Sequence, residues 1–178
     1  MPGAGVLKCR RAGSEVPGAG VRYTARMAKA RVALSHVDAS GAVTMVDVGG
    51  KPDVERTAVA EGAVLVSAAA RRLAREGATR KGNPLEIARI AGIQAAKRTA
   101  DLIPLCHPLA LTYIDVQVKE TRKGYRLTAT ARLAGKTGVE MEALTAVSIA
   151  ALTIYDMLKA ADKAMVIEGI RLVRKTKR

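Results

Sequence analysis

Apolar and polar residues alternate with a period of two in several short stretches of the chain, a pattern typical of β-strands. A short basic turn ending at Gly124 joins two of these stretches, so they are predicted to form a hairpin. Another stretch is interrupted at Glu61-Gly62, and a turn containing Gly41 precedes the first. The predicted strands are residues 43–48, 57–66, 112–118, 125–133 and 165–173.

Between the strands, apolar residues recur every three or four positions, which predicts helices. Ser67 can cap a short helix over residues 68–76 that ends at Gly77. Asn83, followed by Pro84 and Glu86, is a strong N-terminal signal for a second helix that runs to Lys97-Arg98. A third helix is predicted over residues 140–163.

The second helix is predicted to bury one apolar stripe that is widened on its flanks. The stripe consists of Leu85, Ala88, Ala91 and Ala95, and the flanking residues are Ile87, Ile90 and Ile93.

From residue 57 the main elements follow the order βαββαβ, which is that of a ferredoxin-like domain. The predicted fold class is therefore α+β, with an antiparallel sheet and helices on one face. An open apolar sheet face requires a cover, so self-association is expected. We expect residues 27–178 to form this single catalytic domain and residues 1–26 to be a disordered basic extension, since patterned sequence begins just after Met27.

The net charge of +14 raises the question of nucleic-acid binding. However, residues 1–33 carry seven basic and one acidic side chain, and residues 171–178 carry five basic and no acidic ones. Most of the excess therefore lies at the ends, where we expect solvated, mobile chain. Phe and Trp are absent, so stacking platforms for single strands are missing. Nucleic acid is not the predicted partner.

The chain also argues against a membrane or secreted protein. No uninterrupted apolar stretch reaches the length of a membrane span, and the start lacks a secretory signal. Cys9 and Cys106 are far apart and have no CxxC spacing, so neither a disulfide framework nor a zinc site is indicated. The cytoplasm is the predicted location.

Two short motifs have both a chemical and a structural interpretation. Lys81-Gly82 directly precedes a helix N-terminus, where anions are favoured, although a solvated loop is the simpler explanation. Prolines on both sides of the segment around His107 stiffen it, as a positioned imidazole requires, although most histidines beside proline are structural. Cys106 is interpreted as a packing residue.

The strand-to-helix junction at residues 134–138 resembles a phosphate-binding loop but lacks its first glycine, which is replaced by Thr130. Nucleotide hydrolysis of that type is excluded. Lys136 can approach an anion, but a turn built on two glycines explains the pattern as well. Glu140 and Glu142 open the following helix, where acidic side chains are favoured by the dipole alone.

Near the end of that helix, Asp156, Lys159 and Lys163 share one face. A surface ion pair is the simple interpretation. Because the helix is largely apolar, partial burial of Asp156 beside an ammonium group is the alternative, and it would tune an acid–base pair.

Several segments together resemble the family of molybdenum cofactor biosynthesis protein C. They are LSHVD at 34–38, MVDV at 45–48, KG at 81–82, ARIAGIQAAKRT at 88–99, LIPLCHPL at 102–109, GKTGVEMEALT at 135–145 and ALTIYDMLKA at 151–160. The resemblance extends from about residue 34 to the last strand.

The resemblance implies a ferredoxin-like lyase that converts 3′,8-cyclo-7,8-dihydro-GTP into cyclic pyranopterin monophosphate and releases pyrophosphate. It implies a homohexamer built as a trimer of dimers and no redox cofactor, and it leaves a requirement for a divalent cation open. The implied catalytic residues are Lys81, Lys97, His107, Asp156 and Lys159. The implied substrate-binding residues are Leu105, Cys106, His107, Met141 and Glu142.

Two of these residues are too far apart for one compact ligand if they lie on one helix. Glu142 and Asp156 are separated by roughly 21 Å at 1.5 Å per residue. Either the helix is broken near its start, or the two ends serve active sites shared between subunits.

Two other functions stay open. A nucleic-acid-binding module would lose its function on removal of the basic ends. A purely structural, self-assembling domain would tolerate Asp156→Asn and Lys81→Ala.

Overall fold

The computed structural model describes residues 36–37, 40–77 and 82–178, all within the compact unit Leu34–Arg178. Its centre is a four-stranded sheet in the order β2-β3-β1-β4, in which every neighbouring pair is antiparallel. The strands are β1 (Val54–Leu65), β2 (Tyr113–Thr121), β3 (Gly124–Gly135) and β4 (Val166–Lys177). The predicted α+β class and the hairpin of β2 and β3 are confirmed.

The first two helices begin where the sequence places their caps. They are α1 (Ala68–Arg75), α2 (Pro84–Lys97), the short α3 (Thr99–Leu102) and α4 (Glu140–Leu158). Ser67 Oγ accepts a hydrogen bond from the N–H of Ala70 at 3.3 Å, and α1 stops before Gly77, whose φ is +64°. Asn83 Oδ1 accepts from the N–H groups of Leu85 and Glu86. Both predicted N-caps are confirmed.

Helices α2 and α4 pack against each other and against the sheet, with α4 over β1 and β3 and α2 over β2. Buried residues alternate along β1 and β3, so one face of the sheet forms the core with these helices. Without Phe or Trp, that core consists mainly of Ala, Val and Leu. At Gly92 of α2, an added Cβ would lie 2.8 Å from the carbonyl oxygen of Ala146 in α4. The two helices therefore approach each other closely.

The predicted stripe of α2 was only partly right. Ala88 and Ala95 are buried, but Ala91 is only half-buried, and Ile90 is 55% exposed on the outer surface. Gly92 and Ala96, one position further round the helix, complete the buried face instead.

The expectation that the open face of the sheet is apolar was wrong. Residues facing away from the helices include Glu61 on β1, Asp115 on β2 and Arg132 on β3, with threonines between them. Within the helices and strands, most of the large exposed apolar side chains lie instead on the helices and on β4. These are Ile90, Leu102, Met141, Leu152, Val166, Ile170, Leu172 and Val173, while Tyr113 is exposed on β2.

Several predicted boundaries were also wrong. Residues 43–48 form no strand, only an isolated bridge between Val37 and Val43. Strand β1 continues through Glu61-Gly62, because β4 absorbs the irregularity with register shifts at this point. Helix α4 ends at Leu158 rather than 163, because Asp162 accepts hydrogen bonds from the N–H groups of Ser67 and Ala164 and fixes a turn there.

The basic C-terminal run is part of β4 and not a mobile tail, contrary to the sequence-based expectation. Arg171 pairs with Glu61 across the sheet, and Lys175 pairs with Glu140 at the start of α4. The basic residues at 171–177 are thus ordered, and one of them reaches the functional end of the domain. The predicted extension at residues 1–26 lies outside the described residues.

Helix α4 is, within the described parts of the chain, the one helix that is long and apolar enough to cross a membrane. Half of that stretch is buried inside the domain. Because α4 packs against β1 and β3, it is the core helix of the domain.

Candidate functional site

A cavity of about 400 Å³ opens beside the N-terminus of α4. It brings together all five residues expected to contact substrate: Leu105, Cys106, His107, Met141 and Glu142. The first three come from the segment between α3 and β2, and the last two from the first turn of α4. The remaining lining residues are His36, Val46, Val48, Lys51, Leu109, Thr137, Gly138, Glu140 and Lys175.

The segment that carries His107 is held rigidly. Pro104 and Pro108 restrict the backbone on both sides, and the N–H of Cys106 donates to the carbonyl of Ile103 at 3.0 Å. His107 Nε2 lies 2.9 Å from the carbonyl oxygen of Val46. A carbonyl can only accept, so this bond requires the proton on Nε2 and leaves Nδ1 as an acceptor.

Glu142 is the most unusual group in the cavity. Its side chain is 3% exposed, and its Oε2 is buried with no hydrogen-bond partner among the described residues. Burial, opposed by a bond from its own backbone N–H and reinforced by the charge of Glu140, raises the pKa of Glu142 to about 6. Near neutral pH this carboxyl can therefore both accept and release a proton, which its position in a helix N-terminus alone did not predict.

The cations of the cavity come from distant parts of the sequence. Lys175 on β4 is aligned with Ala58, a residue of the helix-covered face, and this alignment directs Lys175 to the start of α4 and to Glu140. Lys51 lies in the loop before β1, and its ammonium has no hydrogen bond or ion pair with any described side chain or backbone group. Both are suitable for binding an anionic substrate.

The cysteine and methionine in the cavity are not built for covalent chemistry. Partial burial, reinforced by the charge of Glu142, raises the pKa of the Cys106 thiol. The thiol therefore stays protonated, which agrees with its interpretation as a packing residue. Met141 is 36% exposed and offers apolar contact at the cavity mouth.

Lys97 lines a second cavity of about 350 Å³ that adjoins the first. Leu109 and Glu142 line both cavities, so they form the wall between them. The structure thereby brings Lys97 close to the site, although not into the same cavity.

Asp156 and Lys159 lie elsewhere, near the C-terminal end of α4. Lys159 Nζ is 2.7 Å from Asp156 Oδ1, and this hydrogen bond and the carboxylate charge raise the pKa of Lys159. The Asp156 side chain is 52% exposed, so in the single chain the surface ion pair is confirmed and the alternative of partial burial is not. Neither residue lines the two cavities described above.

Two predictions cannot be placed. Lys81 lies outside the described residues, as does Cys9. Among the residues that the structure does describe, no group of three or more His, Cys, Asp or Glu side chains could hold a metal ion.

Sequence reasoning missed three lining residues: His36, Lys51 and Lys175. His36 has a buried Nδ1 that finds no partner in the described part of the chain. Its signal was its place in the LSHVD segment, which was used only for the resemblance. Lys51 follows two glycines, and Lys175 lies in the basic run that was assigned to a solvated end, so neither carried a local signal.

Comparison with known proteins identifies the family. The sequence profile described as the MoaC family matches residues 45–178. The cyclic pyranopterin monophosphate synthases of Parvibaculum lavamentivorans and Methylobacterium sp. (strain 4-46) are 56% and 57% identical over 145 residues, covering 80% of this chain and 91% of each relative. That of Novosphingobium aromaticivorans is 57% identical over 142 residues, covering 80% of this chain and 90% of its own. With a profile match over most of its length and relatives this similar, the chain belongs to the MoaC family.

Proposed function

We propose that this chain is a lyase that converts 3′,8-cyclo-7,8-dihydro-GTP into cyclic pyranopterin monophosphate and pyrophosphate, in the cavity at the start of α4. The observation that carries the proposal is that Leu105, Cys106, His107, Met141 and Glu142 line one cavity. The relatives named as synthases of that product support it.

The site has the groups that the reaction needs. Lys51 and Lys175 in the cavity, and Lys97 beside it, provide positive charge for a triphosphate and for the leaving pyrophosphate. Ring opening and closure require proton transfers, for which Glu142 and His107 are positioned. The cavity volume is within the range of small-molecule sites.

The strand order and antiparallel pairing support classification of the domain as ferredoxin-like. We further propose a cytoplasmic homohexamer, a trimer of dimers, without nucleic-acid or membrane partners. No resident cofactor is part of the proposal. A divalent cation is tested by comparing turnover with Mg²⁺ and with chelator.

The geometry of α4 supports active sites shared between subunits. Helix α4 is continuous from Glu140 to Leu158, so the alternative of a break near its start is wrong. Glu142 and Asp156 are therefore roughly 21 Å apart along one axis. If both act on the substrate, the Asp156–Lys159 pair reaches the cavity from another subunit. Its exposure in the single chain is what such a role requires.

The direct test of the function is incubation of the purified protein with freshly prepared cyclised GTP intermediate. Formation of cyclic pyranopterin monophosphate together with an equal amount of pyrophosphate is expected. Product without pyrophosphate, or neither, would contradict the proposal.

Shared sites predict recovery of activity on mixing two inactive variants. His107→Ala and Asp156→Asn are each expected to be inactive alone, and subunit exchange between them should restore part of the turnover. Hybrid sites then contain one intact copy of each side chain. Each variant exchanged with itself is the control. No recovery despite proven exchange would place both residues in the same subunit's site.

Removal of the Lys97 charge is expected to weaken binding of the phosphates. We expect Lys97→Met to raise KM and the inhibition constant of pyrophosphate about tenfold each, because one charged contact is lost. Lys119→Met, an exposed lysine of β2 outside both cavities, is the matched control. An unchanged pyrophosphate constant in Lys97→Met would show that the phosphates bind elsewhere.

A further inference from the structure

One wall of the cavity is an irregular segment, residues 44–51, that has little packing of its own. Most of it is exposed, and only Val46 and Val48 are half-buried. Internal bonds shape it: the N–H of Gly49 donates to Asp47 Oδ1 at 2.7 Å, and that of Lys51 to the carbonyl of Val48 at 3.0 Å.

Two side chains from the body of the domain hold this segment in place. One is His107, through the carbonyl of Val46. The other is Lys136, whose Nζ donates to the carbonyl oxygen of Gly49 at 2.6 Å. Gly49 lies two residues before Lys51, so this bond sits directly beside a lysine that lines the cavity.

The backbone at Lys136 is held by a side chain of β1. Arg56 on β1 donates through Nε to the carbonyl of Gly135 and through Nη2 to that of Lys136, each at 2.9 Å. The following residues, Thr137 and Gly138, also line the cavity. The chain of bonds from Arg56 through Lys136 to Gly49 therefore links β1 to two walls of the site.

We propose that Lys136 is a positioning residue whose ammonium fastens the 44–51 segment over the cavity and thereby sets the place of Lys51. Lys136 is half-buried and does not line the cavity, whereas the next two residues do. Its ammonium is therefore placed to hold the 44–51 segment and not to contact a bound anion directly. The bond from Lys136 to Gly49 is exposed to solvent, and the positive charge of its donor makes it stronger than a bond from a neutral donor would be. The kinetic part of the proposal rests on the function proposed above.

The first test requires no substrate. Amide hydrogen exchange is compared in the wild type, Lys136→Met, Lys136→Arg and the control Lys119→Met, an exposed lysine of β2. We expect Lys136→Met to speed exchange at Gly49 and Lys51 about tenfold. Lys136→Arg, which keeps a donor, should stay close to the wild type. Equal protection in Lys136→Met and the wild type would overturn the proposal.

The second test is a double-mutant cycle with Lys51. Lys136→Met is expected to raise KM about tenfold while kcat changes less. The reason is that a displaced Lys51 would bind the substrate and the transition state more weakly by the same amount. In a Lys51→Met background the same change should have little further effect. Fully additive effects would show that Lys136 does not act through Lys51. If the wild type converts no cyclised GTP, the proposed function fails, while the exchange comparison still decides the role of Lys136.

Discussion

Asp156→Asn is expected to fold and assemble normally and to lose about a thousandfold in kcat. The carboxylate is half-exposed and paired with Lys159 at 2.7 Å, and an exposed ion pair of this kind contributes little to stability. If Asp156 transfers a proton in the reaction, its replacement should therefore lower the turnover and leave the thermal midpoint unchanged.

The pH profile gives Asp156→Asn a second signature. Asp156 raises the pKa of Lys159, so its replacement should move the alkaline limb of the rate profile to lower pH. Asp115→Asn, on the open face of β2, is the matched control and should behave as the wild type. A near-normal kcat in Asp156→Asn would show that Asp156 takes no part in the chemical step.

Glu142→Gln should lower activity and raise stability at neutral pH. In the folded protein the pKa of Glu142 is about 6 against an ordinary value of 4.5. A raised pKa means that its stabilising contribution is present below pH 4.5 and is lost as pH rises through 6. Above that pH the native state holds a buried carboxylate, one oxygen of which has no partner among the described residues, at a cost of about 1–2 kcal/mol that glutamine avoids.

Denaturant unfolding of both proteins at pH 4 and pH 7.5 checks this prediction. The free energies of unfolding should agree at pH 4 and should favour Glu142→Gln at pH 7.5. Turnover should fall about a hundredfold, with loss of any rate dependence near pH 6, since glutamine cannot exchange a proton. Glu76→Gln, an exposed carboxylate at the end of α1, is the control. A variant less stable than the wild type at pH 7.5 would mean that ionised Glu142 has a partner.

Local signals predicted most of the fold. Caps and breakers such as Ser67, Gly77 and Asn83 act through backbone groups a few residues away, so α1 and the start of α2 followed from the sequence. The end of α4 did not, because it depends on Asp162 reaching Ser67, 95 positions earlier. The βαββαβ succession of the main elements was predicted from the sequence, whereas the strand order β2–β3–β1–β4 within the sheet was not.

The site was predictable where its residues are close in sequence. His107 with its two neighbours, and Met141 with Glu142, came from two motifs that the resemblance identified. Lys175 was missed because the pairing of β4 with β1 brings it to the cavity. Lys51 was missed because its place depends on the loop that Lys136, of the 134–138 junction, contacts at Gly49. The raised pKa of Glu142 likewise depends on burial, which a helix position does not reveal.

The close approach of α2 and α4 at Gly92 has a mechanical consequence. Gly92 has no side chain to separate the two backbones, so the helices pack tightly there and the contact resists their relative displacement. Lys97 at the end of α2 and Glu142 at the start of α4 therefore belong to one tightly packed pair of helices. The distance between these two side chains is therefore expected to stay constant when a ligand enters, so the cavity can adjust its shape more easily at the exposed wall of residues 44–51, which His107 and Lys136 hold by single hydrogen bonds.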